Sequence, residues 1–97
     1  MIYDAGTTNV ASAGTRVQLS NTTNRVRLLK VKALAGNSGL VYLGVSDVSA
    51  SNGYELAATN TIEINFAESG GTVAFSTFYV DAATNGDDVC WSVILDG

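Results

Sequence analysis

The feature that most constrains this chain is its punctuation. Short runs rich in Val, Ile, Leu, Tyr and Phe alternate with clusters of Gly, Asn, Ser and Thr, at roughly the 8–12 residue spacing of strands in a sandwich or barrel. The 10 glycines recur every few residues, and no long segment keeps the i, i+3, i+4, i+7 apolar spacing of a helix that faces a core. At 97 residues the chain has the length of one domain. The pattern predicts an all-β fold, a compact antiparallel β-sandwich of seven or eight strands. Jelly-roll and immunoglobulin-like connections both satisfy two stacked sheets. The second usually pairs two cysteines about a Trp, and Cys90 is the sole cysteine. The expected topology is therefore jelly-roll-like.

Residues 1–14 contain few large apolar side chains and read as an extended N-terminal arm or an edge strand; residues 15–97 read as the sandwich domain. On the arm reading, residues 1–12 are dispensable for folding and can add to a neighbour as an extra strand. Strands are expected at residues 15–19, 25–34, 40–45, 54–56, 61–66, 73–81 and 89–95, with a register change near Ser76-Thr77. Turns are expected at residues 36–39, at Ser69-Gly70-Gly71 and around Asn85-Gly86, a dipeptide suited to positive φ. Within residues 25–34 the alternation breaks at Leu28-Leu29. One extra residue there, a β-bulge, would turn Val26, Leu28, Leu29, Val31 and Ala33 to the core and Arg25, Arg27, Lys30 and Lys32 outward. A strand buried on both faces would have to bury four cations, which is costly.

Catalytic residue types are scarce. There is no histidine, which removes the commonest general base and metal ligand. The serines and threonines have no base beside them, and the acids are scattered singly. Cys90 reads as a small buried or half-buried residue. The segment from Asp81 to Asp88 matches an EF-hand-like loop at Asp81, Asn85 and Gly86 but not at Ala83 or Ser92. A hairpin loop with exposed acids explains it as well. The chain is read as no enzyme, with no catalytic, cofactor-binding or metal site and no cofactor.

Charge is low and segregated. Charged residues make up 14% of the chain, against about 25% in typical domains. All five cations, Arg16, Arg25, Arg27, Lys30 and Lys32, lie between positions 16 and 32, and eight of the nine acids follow them. The net charge of −4 argues against binding nucleic acid by phosphate neutralisation. No apolar run approaches a membrane span, and the first residues lack a signal-peptide pattern, so synthesis in a cytoplasm is expected. The cations, with Tyr3 and Tyr54, are the candidate interface residues; a solvated strand face, an identical subunit or an acidic partner each fit them. Trp91 shares the parity of Val89, Val93 and Leu95 and is the candidate core anchor.

Four segments in order then suggest a family. They are residues 13–19 (AGTRVQL), 31–44 (VKALAGNSGLVYLG), 51–57 (SNGYELA) and 79–87 (YVDAATNGD). The set resembles small virion proteins of tailed bacteriophages over about residues 13–92, and within them capsid decoration, or cement, proteins. Asp88 departs from the small residue expected at its place. The resemblance implies a structural subunit on the capsid exterior, made in the bacterial host cytoplasm. It would form a homo-oligomer, a trimer first, that stabilises the shell against the major capsid protein by repeated non-covalent contacts. The alternative is a receptor- or glycan-binding module of a tail or fibre.

Overall fold

The structure is a computed structural model and describes residues 2–66 and 73–96. The turn expected at Ser69-Gly70-Gly71 lies outside the described residues.

Among the described residues nine strands follow one another: β1 (Ile2–Asn9), β2 (Val17–Gln18), β3 (Arg25–Ala33), β4 (Val41–Gly44), β5 (Tyr54–Leu56), β6 (Thr61–Asn65), β7 (Val73–Ala74), β8 (Tyr79–Ala82) and β9 (Asp88–Leu95). They form two antiparallel sheets. Sheet 1 has the order β1-β9-β3-β6, with β7 paired to the start of β3; sheet 2 has the order β2-β8-β4-β5. The pairs β4·β5, β3·β6, β2·β8 and β1·β9 are those of one long hairpin whose two arms run side by side. Rolling that ribbon up adds β3·β9 and β4·β8, which is a jelly roll.

Period-two alternation supplies the core. Val26, Leu29, Val31 and Ala33 of β3 and Val89, Val93 and Leu95 of β9 point from sheet 1 toward Val41, Leu43, Leu56, Val80 and Ala82 of sheet 2. Each fully buried Val or Leu contributes about 1.5–3 kcal/mol relative to exposure. The register change expected near Ser76-Thr77 is a 3-10 turn, Phe75–Thr77. It drops the Phe75 ring into the middle of the core, edge-on to Trp91 with centroids 4.9 Å apart.

Residues 2–9 are the edge strand β1, paired to β9 along their whole length. Val10 follows, fully buried, and exchanges backbone hydrogen bonds with the last turn: its N–H donates to Asp87 O, and Gly86 N–H donates to Val10 O. Gly6 lies against the Trp91 ring, where a Cβ would come within 2.6 Å of Cζ2. A row of ladder bonds and a core valine thus run against the expectation that residues 1–12 are dispensable for folding.

The bulge in β3 is also placed differently. Val26 opposes Leu95 and Leu28 opposes Ile94, so Arg27 is the extra residue. Leu28 therefore faces outward, half-buried, while Leu29 enters the core. Alternation requires one surplus residue but not a particular one. At Arg27 the surplus lets the guanidinium reach Asp96, 3.1 Å away, and leaves Leu28 beside Ile94.

The outer face of sheet 2 is roofed by the chain itself. Residues 45–53 fold back over it, burying Tyr42 and Val48. The approach is so close that a Cβ on Gly44 would sit 2.7 Å from Val48 Cγ2, and one on Gly53 would collide with Tyr42 Cβ and Val48 Cγ2. The loop ahead of β2 covers Asp81, whose Oδ1 accepts the Gly14 N–H at 2.9 Å.

Candidate functional site

Sheet 1 has no comparable roof among the described residues. Its outward positions line up across four strands in three rows. The first is Tyr3–Ile94–Leu28–Asn65, the second Ala5–Ser92–Lys30–Glu63, and the third Thr7–Cys90–Lys32–Thr61. The first row is apolar over three of its four positions. Tyr3 is 71% exposed, and Ile94 and Leu28 are half-buried. The other two rows have small side chains on β1 and β9 and a lysine on β3. They enclose an open depression of about 590 Å³, lined by Ala5, Gly6, Thr7, Lys30, Lys32, Thr61, Cys90, Trp91 and Ser92. No acid is among these lining residues.

Sequence parity and the bulge together make this face. The odd residues of β1 and the even residues of β9 project outward, and after the slip at Arg27 so do the even residues of β3. Arg27 pairs with Asp96, and Lys30 lies 3.8 Å from Glu63, both pairs being well exposed. Such pairs are worth about 0–1 kcal/mol each, so they orient the side chains more than they hold the fold. Among the described residues Lys32 has no ion pair.

The structure brings Tyr3, Arg25, Arg27, Lys30 and Lys32 to the sheet 1 side. It does not bring Arg16 or Tyr54 there. Arg16 is exposed just ahead of β2, and Tyr54, 58% exposed, is on β5 at the far edge of sheet 2. Trp91 is half-buried against the core, and its indole N–H donates to Thr8 Oγ1 at 3.0 Å. Cys90 is half-buried and points outward between Thr7 and Lys32.

The turn read as a partial calcium loop is a structural hub, a role that sequence reading missed. Asp81 Oδ1 accepts from Gly14 and Ala82, Asn85 Oδ1 from Ala13, and the two Asp87 carboxylate oxygens from Ser38 and Gly39, at 2.7–3.0 Å. Asn37 adds a two-way bond to the Asp88 backbone. The buried carboxylates of Asp81 and Asp87 thus satisfy loop N–H groups, as buried charge requires. Among the described residues no group of three or more His, Cys, Asp or Glu is placed to hold a metal ion. The only sequence signal for the hub was Asp and Asn in a glycine-bearing turn, where such side chains bond nearby backbone.

No protein-family model and no curated protein matches this chain. Solved structures do. IMPa from Pseudomonas aeruginosa, in complex with an O-glycopeptide, is similar over 97% of this chain at 12% identity and a TM-score of 0.52. This chain spans only 12% of that one. The SPBc2 prophage-derived protein YomS is similar over 99% of this chain and 96% of its own, at 13% identity and a TM-score of 0.49. A Bacillus endospore appendage protein, from disulfide-linked pili, is similar over 95% of this chain and 84% of its own, at 11% identity and a TM-score of 0.47. At this identity the likeness to IMPa shows a shared sandwich fold and nothing of its activity.

Proposed function

We propose that this chain is a structural virion subunit that decorates and stabilises a bacteriophage capsid from outside, as a homo-oligomer, a trimer first, against the major capsid protein. The observation that carries the reading is the asymmetry of the two outer faces. Polar groups on the sheet 2 side are engaged in holding the chain's own loops, whereas the sheet 1 side presents an unroofed apolar row beside small neutral side chains and lysines. An exposed apolar row with an aromatic side chain next to polar and charged groups is a feature of binding surfaces. The reading has no catalytic step and needs no cofactor. A rigid jelly roll offers one modest surface, and symmetry multiplies it into a large total by avidity. The sequence resemblance to phage virion proteins supports the same reading. Electron microscopy of intact particles tests it: density for this chain on the capsid exterior is expected, and its presence on the tail instead would overturn it.

A second reading, a glycan-binding module of a tail or fibre, is favoured by the depression itself. It has the volume of a small-ligand pocket and is lined by Thr7, Thr61, Ser92 and Trp91. Binding to immobilised oligosaccharides, lost on Ser92→Leu, is its expected signature.

A further inference from the structure

The described large apolar residues with marked exposure are Tyr3, Val45 and Tyr54. They fall on two separate surfaces. Tyr3 belongs to the open face of sheet 1, with Ile94 and Leu28. Val45 and Tyr54 flank the β4–β5 connection of sheet 2 and are 47% and 58% exposed. Charge divides the same way. The four cations of β3 lie on the sheet 1 side, while no Lys or Arg follows Lys32 anywhere in the sequence. The charged residues of the β4–β5 connection and of β5 are therefore acids alone, Asp47 and Glu55, both exposed and without an ion pair among the described residues. The sheet 1 side thus has the cations that the β4–β5 side lacks, although Arg27 and Lys30 already lie beside Asp96 and Glu63, and the two surfaces belong to different sheets of the same chain.

We propose that these two surfaces meet between copies of this chain: the depression and apolar row of sheet 1 receive the β4–β5 hairpin of a second copy, head to tail. β5 is an edge strand with Tyr54 on one side and Glu55 on the other, so it would dock by its edge: Val45 and Tyr54 would cover Tyr3, Ile94 and Leu28, and Asp47 and Glu55 would face Lys30 and Lys32. Because the two surfaces differ, the contact is heterologous. Each copy offers one of each, and copies close into a ring or extend as a filament according to the rotation between them. Size decides how tightly a pair holds. Four strands at ~4.8 Å and about seven residues at ~3.3 Å give a face of roughly 450 Å², about half of the ~800 Å² that each partner of a stable complex buries. One contact is therefore weak by itself, and a closed ring, in which the last contact forms within a single assembly, is held by avidity. Closed assemblies are therefore expected with little free dimer.

This deepens the self-association in the proposed function and rests on that part of it alone. The test is sedimentation velocity of the full chain from micromolar to near-millimolar protein, with two charge-reversed variants. One is Lys30→Glu with Lys32→Glu, and the other is Asp47→Lys with Glu55→Lys. Wild type is expected to sediment above its 10.0 kDa chain mass. Each variant alone should associate about tenfold or more weakly, since like charges across a contact cost several kcal/mol. An equimolar mixture of the two should recover association in alternating chains or even-numbered rings, because two like variants would meet in a ring of three, and simple loss of folding cannot give that result. Circular dichroism confirms that each variant is folded. A wild type that stays monomeric, a variant that assembles as well as wild type, or a mixture without recovery would each overturn the contact. Capsid decoration would survive any of these if the chain still appeared on the particle.

Discussion

Tyr42 and Tyr3 both point outward from their sheets, yet Tyr42 is 7% exposed and Tyr3 is 71% exposed. The difference lies in what the chain does next. After β4 it turns back across sheet 2, and Gly44 and Gly53 let the loop backbone lie directly on Val48 and Tyr42. Beside Tyr3 the neighbours are Ile94 and Leu28 of the same sheet, and no described loop crosses above them. One face is thereby covered by the protein's own chain, and the other is left open among the described residues. Outward-facing apolar residues on a strand do not by themselves distinguish these cases; a tight loop with small residues at its ends does.

The comparison can be broken or sharpened at several points. Deletion of residues 1–12 has the largest expected effect. It removes β1, Val10 and the acceptor for the Trp91 indole N–H, so the urea transition should be lost. A folded variant would show that this flank of the open face is an appendage after all. Tyr42→Ala comes next, with a loss of about 3–5 kcal/mol, against less than about 1 kcal/mol for Tyr3→Ala. Equal losses in urea melts would mean that the two faces do not differ. Gly53→Ala should lower stability by about 1–3 kcal/mol through overpacking under the loop, whereas Ala5→Val in the open depression should change it by less than about 0.5 kcal/mol. Smallest of all, Lys32→Gln should leave the melting temperature within a degree or so of wild type, since surface changes of this kind stay within about 0.5 kcal/mol. A marked drop would reveal an intrachain partner for Lys32.

Much of this architecture follows from local pattern. Glycine- and asparagine-bearing turns and period-two alternation determined that the chain is all-β, where β3, β4, β6 and β9 lie, and that Val89, Val93 and Leu95 share the inner side. These are properties of neighbouring residues, and side-chain alternation along a strand is set by backbone geometry alone. The slip in β3 was legible as a surplus residue but not as Arg27, because its place depends on Ile94, Leu95 and Asp96 more than sixty positions away. The role of Asp81 and Asp87 was hidden for the same reason: their partners Gly14, Ser38 and Gly39 are brought to them only by the rolled-up ribbon. Whether residues 1–14 form an arm or an edge was open in the sequence, and pairing with β9 decided it for Ile2–Asn9. The candidate interface divided likewise. Sequence order gathered four of the five cations on one strand, but only the stacking of two sheets set Tyr3 beside them and Tyr54 on the other sheet. Composition and alternation act through neighbours along the chain, whereas a surface is assembled from strands that meet only after folding.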